Sequence, residues 1–500
     1  MKSKQKNVVK ESELGLTVKK ESDFSEWYTQ VVQKAELVDV RFGIQGFVVH
    51  RPWGFAIIKK IYEYFEKEVE EQGHQQFLFP TVVKEKALNQ EKEHAGFTPE
   101  VFWVSEAGDQ KIEERFALRP TGEAQIYPIY ALWLRSYRDL PFRGYQDRIS
   151  VFRNEMTTRP FLRGREFLFF ETHDVFNKHE ESLKQIQNDL ETCWKVIYEK
   201  LKIPFFYFKR PFWDKFNGAD ATFTPDTLMP DGKRNQLAST HDLGQNFSKA
   251  FEIKVAGEDE KEHYVWQTCF GPGIWRIMAA LIGIHGDDKG LVLPFEVAPV
   301  QVVIIPIFLK KTKMEETRVS KLANLVKEKL QKEGYRVKLD EGEETPGYKY
   351  HHWELLGVPI RIEIGPKEVQ EMKLTLVKRT DTRKLGIKLE SLQKEIKKNA
   401  NSVDVNIKER ANTYFKGSVK NADTLEQLKR IIKVHLGFTK VPFCSVEKQG
   451  EKCAEKLQKE TDGVKVCGTF YPKPEKPKQG QKCLVCNRKA FCIVYVAKSY

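Results

Sequence analysis

Residues 151–173, VFRNEMTTRPFLRGREFLFFETH, set four arginines and three glutamates into a stretch that otherwise reads as buried strand. Buried charge is costly unless it is paired or meets a charged ligand. Strand alternation predicts that Arg153 and Glu155 point to one face. The segment MTTRPFL, with Pro160, reads as a loop that returns Arg163 on its far side. Two arginines and a glutamate on one sheet face would clamp a small anion carrying carboxylate or phosphate; a self-satisfied Arg–Glu network is the competing reading. A second cluster lies in the last 60 residues, where Cys444, Cys453, Cys467, Cys483, Cys486 and Cys492 crowd together while Cys193 and Cys269 stand alone. Cys444 and Cys453 with the Cys483-x-x-Cys486 knuckle supply a tetrahedral four-cysteine donor set for structural Zn2+. A reduced, metal-free cluster is the alternative, and Cys467 and Cys492 read as core.

The elements that must position these residues fall into blocks. A chain of 500 residues is long enough for several cores. No apolar run approaches the roughly 18 residues that a membrane span needs. The first residues, MKSKQKNVVKESELG, lack the apolar stretch of a signal peptide, so no membrane partner and a cytoplasmic location are expected. The net charge of +13 hints at a polyanionic partner. We divide the chain into a flexible basic leader at 1–20, an aromatic-rich block at 21–295, an α/β unit at 296–400 and a cysteine-bearing C-terminal domain at 401–500. In the large block, 52–73 has helical spacing, with Ile57, Ile61, Phe65 and Val69 as its apolar stripe and Gly73 as its cap. Residues 75–83 read as a strand interrupted by Pro80, and further strand patterns occur at 150–155, 166–171, 204–208, 249–255 and 262–268. Consecutive strands without regular crossover helices favour an antiparallel sheet. From about 295 the order becomes strand, amphipathic helix at 314–334, strand, helix, and alternating strand at 358–365, an α/β unit with a parallel or mixed sheet. Residues 385–416 read as a long charged helix, and 471–482 as a surface loop.

Three short segments complete a pattern. Pro80 after a long helix, Phe152-Arg153-Asn154-Glu155 followed by a loop arginine, and GPGIWR at 271–276 before an apolar helix resemble the three signature motifs of class II aminoacyl-tRNA synthetases. The segments 119–146 (from RPTGEAQIYP), 159–173 (RPFLRGREFLFFETH), 239–253 (STHDLGQNFSKAFEI) and 285–294 (HGDDKGLVLP) resemble the prolyl-tRNA synthetase family of archaeal and eukaryotic type, over nearly the whole chain.

The resemblance implies an α+β protein: an antiparallel-sheet catalytic domain, an α/β anticodon-binding domain and a small C-terminal α/β domain of zinc-binding kind. It implies an ATP-dependent ligase that activates L-proline as prolyl-adenylate and transfers it to the 3' end of tRNA(Pro), with Mg2+, as a homodimer. Arg153 and Arg276 become the catalytic residues, and Arg153, Glu155, Arg163, Phe167, Gln236, Ser239 and Arg276 the ATP contacts. Thr121 and Glu123 are implied to hold the secondary ammonium of proline. Arg153 takes its carboxylate, while Phe169, Glu171, His173, Phe216 and His241 line its pocket. Glu354, Arg361 and Lys367 are implied as anticodon readers, and the final Tyr500 is implied to tuck towards the catalytic site. Asn154 and Phe169 stand where the family usually carries Trp, and the third motif is one residue longer than usual. Two alternatives therefore accompany this reading: a class II synthetase of altered amino-acid specificity, and a non-catalytic tRNA-binding paralogue. Too little chain separates His173 from Gln267 for a built-in editing domain.

Overall fold

The computed structural model describes residues 15–95, 100–308, 312–434 and 437–500. Its largest feature is an extended sheet whose centre is six antiparallel strands: β1 (Phe142–Phe152), β2 (Glu166–Phe176), β3 (Phe206–Lys209), β4 (Ala221–Leu228), β5 (Ala238–Gly244) and β6 (Trp266–Pro272). Their spatial order is β3, β4, β5, β6, β2, β1. Helix α1 (Pro52–Glu71) carries Pro at its first position, where the missing N–H has no intrahelical partner to lose. Its stripe of Ile57, Ile61, Phe65 and Val69 is buried as the spacing predicts, joined by Ile58 and Tyr62. That face packs with α3 (Ile274–Ala280) into the main core, while α2 (Glu123–Trp133) belongs to a second core on Tyr127, Tyr130, Phe247 and Phe251.

Local expectations are corrected in several places, including the run 262–268, which is split between strand Glu262–Tyr264 in a two-stranded sheet and β6. Strand β1 ends at Phe152, so Arg153 and Glu155 lie beyond the pleat and alternation does not align them. There the chain turns instead: Arg153 N–H donates to the Arg165 carbonyl at 2.9 Å, and Glu155 N–H to the Arg153 carbonyl at 2.9 Å. Residues 75–83 are two short strands in different sheets, Gln75–Gln76 beside β1 and Val82–Lys84 in a three-stranded sheet. The apolar run at 249–255 is divided between the helix Asn246–Ala250 and the strand Lys254–Ala256. At 385–388 the chain is still strand, and the long helix begins at Leu392. Of the leader, residues 1–14 lie outside the described residues, whereas Leu16 and Val18 pack against the main core.

The α/β unit is a mixed five-stranded sheet, ordered Val337–Leu339, Val302–Pro306, Ile360–Ile364, Lys373–Lys378, Asp381–Lys388. The first three strands run parallel and the last two pair antiparallel. Helix Lys313–Lys332 covers it with Val319, Leu322, Val326 and Leu330. Helix Leu392–Gly417 then leads to the C-terminal region, whose strand β7 (Lys465–Phe470) pairs antiparallel with β3 through Thr469↔Lys209 and Phe470↔Phe208. The cysteine-bearing region therefore continues the large sheet rather than hanging from a linker. Gly468 sits at this seam with φ +138°, and a side chain there would strike the Lys209 carbonyl. No described helix is long and apolar enough to cross a membrane.

Candidate active site

A cavity of about 310 Å³ opens over β2, β4, β5 and β6 and the residues just beyond β1. One end is cationic. Arg153 leaves the end of β1 and Arg276 projects from the first turn of α3, whose backbone Asn235 Nδ2 anchors by donating to the Arg276 carbonyl at 2.9 Å. Arg163 pairs with Glu155 at 3.4 Å and donates from Nη2 to the main-chain oxygen of Tyr500 at 2.9 Å. The Tyr500 hydroxyl is itself tied to Asp231 at 2.7 Å. Burial, with the like charges of Arg153, Arg234 and Arg163, pushes the Arg276 guanidinium down to about 10. This end therefore carries more positive charge than its own carboxylates neutralise. Gln236 and Ser239 line the same wall, and Gln236 Oε1 accepts from Arg210 Nη2 at 2.8 Å. Phe167 meets Phe169 edge-on at 6.2 Å between ring centres.

The other end is acidic and enclosed. Gly122, between Thr121 and Glu123, lets this loop press on Glu171, because a side chain there would overlap its carboxylate. Glu171 accepts from Gln146 Nε2 at 2.6 Å and faces His173 Nε2 at 3.2 Å. Burial opposes its charge, but His173, Gln146 and Arg119 outweigh burial and hold the carboxyl below its ordinary range. Burial likewise disfavours a charged His173, and the Glu171 carboxylate more than reverses that effect. His241 bonds Thr222 Oγ1 at 2.9 Å and stacks near Phe216 at 4.6 Å; burial, together with His173 and Arg210, drives it down to about 3, so it is neutral. Phe169 lies over Gly271, where an added Cβ would come within 3.1 Å of its ring. Two buried acceptors at this end, Thr121 Oγ1 and Glu123 Oε2, have no hydrogen-bond partner.

Every residue expected at this site lines the cavity except His173, which sits behind Glu171 with Nδ1 at 3.0 Å from the Tyr127 hydroxyl. Two participants were not singled out from the sequence. Cys269, on β6, donates towards Glu123 Oε1 at 3.6 Å. Arg210, fully buried, donates to Asp226, to Gln236 and to the Cys467 carbonyl of β7 at 2.7 Å, so the C-terminal strand braces the cavity wall.

The remaining candidates lie elsewhere. Glu354 and Arg361 meet at 3.3 Å, and Arg361 also pairs with Glu363 at 3.1 Å and covers the Tyr350 ring at 4.0 Å. Lys367 is exposed on the short helix Pro366–Glu371 and does not join that cluster. The Sγ atoms of Cys444, Cys453, Cys483 and Cys486 all lie within 4.8 Å of one another. The long gap between the first two is bridged because Cys444 follows strand Phe438–Phe443 and Cys453 opens helix Glu451–Glu460. Burial raises the Cys453 thiol to about 11; it also opposes ionisation of Cys486, yet the Arg488 guanidinium at 3.3 Å holds that thiol down to about 6. Four converging sulfurs with one favoured thiolate fit a tetrahedral thiophilic ion.

A polyanion-sized cationic end joined to a small acidic end, on an antiparallel sheet backed by α1 and α3, defines a class II aminoacyl-tRNA synthetase core. Comparison with known families agrees: residues 102–285 match the class II tRNA synthetase core domain (G, H, P, S and T). Residues 301–399 match an anticodon-binding domain and 425–500 the prolyl-tRNA synthetase C-terminal domain. A proline–tRNA ligase of Thermofilum pendens is 50% identical over 98% of this chain and 100% of its own. One from Pyrococcus horikoshii is 40% identical over 96% and 98%. The Giardia lamblia prolyl-tRNA synthetase in complex with prolyl-adenylate superposes with a TM-score of 0.92 at 33% identity, covering 97% of this chain and 100% of that one. The chain belongs to the prolyl-tRNA synthetase family.

Proposed function

We infer that this chain is an ATP-dependent proline–tRNA ligase. The observation that carries the reading is the pairing, across one cavity, of an under-neutralised arginine group with two orphaned buried acceptors. The arginine end suits MgATP as substrate; the acceptors suit the two N–H groups of a secondary ammonium. The carboxylate of proline is the nucleophile on the α-phosphorus, so no protein base is required. Arg153 bridges that carboxylate and the α-phosphate, Arg276 and Arg163 take the charge of the departing pyrophosphate, and catalysis is positioning plus charge stabilisation. Glu155, Gln236 and Ser239 hold the nucleotide and Phe167 stacks on its base. Thr121 and Glu123 take the ammonium. Phe169, Phe216 and neutral His241 enclose the ring, and Glu171 with His173 fixes the floor. The adenylate is then attacked by the terminal ribose hydroxyl of tRNA(Pro).

The unit at 296–400 serves as the anticodon reader, through Glu354, Arg361 and the freer Lys367. The four cysteines hold a structural Zn2+. The enzyme acts as a cytoplasmic homodimer and lacks built-in hydrolytic editing. Amino-acid-dependent ATP–pyrophosphate exchange, run across all twenty amino acids, tests the reading: proline must support exchange best, and absence of that preference would overturn it.

A further inference from the structure

The floor of the acidic end contains a second donor set. Glu123, His173 and Cys269 each offer one ligand atom, and these atoms all lie within 4.8 Å of one another. They come from three elements, the head of α2, strand β2 and strand β6, and all three residues are buried. Glu123 Oε2 has no hydrogen-bond partner, and His173 Nε2 faces only the Glu171 carboxylate, 3.2 Å away. Buried polar atoms are ordinarily satisfied. An orphaned carboxylate oxygen with an imidazole nitrogen and a thiol beside it is satisfied by one cation held among the three.

The finer geometry agrees. Cys269 Sγ and Glu123 Oε1 are 3.6 Å apart, which matches two ligands of one tetrahedral ion with metal–sulfur and metal–oxygen bonds of about 2.3 and 2.0–2.2 Å. The Tyr127 hydroxyl lies 3.0 Å from His173 Nδ1, so it can accept from Nδ1–H in the tautomer that a metal on Nε2 requires. Metal-binding histidines ordinarily have such an outer contact. Glu171 Oε2, 3.2 Å from Nε2, adds negative charge beside the site.

We propose that Glu123, His173 and Cys269 form a site for a thiophilic divalent cation of the zinc kind, open on its fourth side to the cavity, and that this ion and the substrate ammonium exclude each other. Loading releases to solvent the Cys269 thiol proton and the Nε2 proton that Glu171 favours on His173, and places the metal on the freed imidazole lone pair. A nitrogen–sulfur–oxygen set of three protein ligands suits Zn2+ or Co2+ and not Mg2+, which requires oxygen donors in octahedral array. The ion site itself stands on the geometry alone; the exclusion rests on the proline reading, because both cations claim Glu123.

Cobalt titration of the full-length, chelator-stripped protein tests the proposal, read by the thiolate-to-cobalt charge-transfer band. The wild type is expected to bind one equivalent more than Cys269→Ser, and saturating proline to release that same equivalent. Tyr127→Phe, which keeps all three ligands, should weaken it by about 10–100-fold. In exchange assays with MgATP, added Zn2+ should raise KM for proline without lowering kcat or changing KM for ATP. Equal cobalt stoichiometry in wild type and Cys269→Ser overturns the site, and Zn2+ inhibition that proline does not relieve overturns the exclusion. If the stripped enzyme shows no preference for proline, the functional reading fails while the stoichiometry still decides the site.

Discussion

Two regions of this molecule place arginine against carboxylate at the ends of strands, and they treat the charge differently. On the mixed sheet, Arg361 lies between Glu354 and Glu363 with the Tyr350 ring beneath it, so its guanidinium is fully engaged within the fold. In the catalytic cavity Arg276 is buried and its chief charged neighbours are other arginines, and its affinity for the proton falls through burial first and their repulsion second. The first arrangement contributes to stability and leaves shape and edges for recognition. The second is unfavourable until a polyanion arrives, and that deficit is available to bind and orient one.

The contrast can be broken by substitution. Arg276→Ala should lower proline-dependent exchange by about 10³-fold or more, some 4 kcal/mol of transition-state stabilisation. The same variant should melt no lower than wild type in calorimetry, because it relieves like-charge repulsion. A variant that kept exchange but lost stability would make this arginine the equivalent of Arg361. Arg361→Ala should behave in the opposite sense. It removes one of the two cations on Glu363, which is only 3% exposed and keeps Lys384 at 2.7 Å, and costs about 1.5–3 kcal/mol in denaturant unfolding while leaving exchange near wild type. A drop in exchange matching the drop in stability would erase the distinction between the two regions.

Ligand binding sharpens the comparison further. MgATP at 100 times its Kd should stabilise the enzyme by about 2.7 kcal/mol. Loss of that gain in Arg276→Ala, with its retention in Arg361→Ala, separates the two regions by melting temperature alone. The most gradual effect, spread over the pH range, belongs to a buried histidine with no carboxylate partner. His285, pushed down to about 4 by burial, donates from Nε2 to the Leu201 carbonyl at 2.8 Å. Its folded affinity for protons lies below the unfolded value of 6.5, so the unfolded chain takes up the proton first on acidification. Stability should fall between pH 6.5 and about 4, by at most about 1.4 kcal/mol per unit from this group. His285→Gln should flatten that part of the pH–stability curve.

Much of the catalytic cavity was legible because charge inside apolar strand is conspicuous: Arg153, Glu155, Arg163 and Glu171 stand out in 151–173 without any partner being known. The pleat that was to align Arg153 with Glu155 does not reach them, because β1 stops where the chain turns to meet Arg165. Cys269 was invisible for another reason. A single cysteine on an apolar strand reads as core, and Glu123 lies 146 positions upstream. Arg210 was hidden in the same way, since its contact with the Cys467 carbonyl spans 257 positions. Periodicity reports which face a residue occupies, whereas register between distant strands depends on the whole fold. The apolar run at 249–255 failed locally, because four or five such residues suit a helical turn as well as a strand.

The helix Leu392–Gly417 has one further consequence. Its 26 residues span about 39 Å. At its start Leu392 and Ile396 are sunk in the mixed sheet; midway Val403 and Ile407 pack on Val292; at its end Phe415 joins Phe206 and Phe438. A rod clamped at three points along its length is a ruler. It fixes how far the surface that would inspect one end of an L-shaped nucleic acid stands from the cavity that would receive the other. Inserting or deleting a whole turn would change that distance by about 5.4 Å, miscalibrating the instrument without touching a single residue at either end.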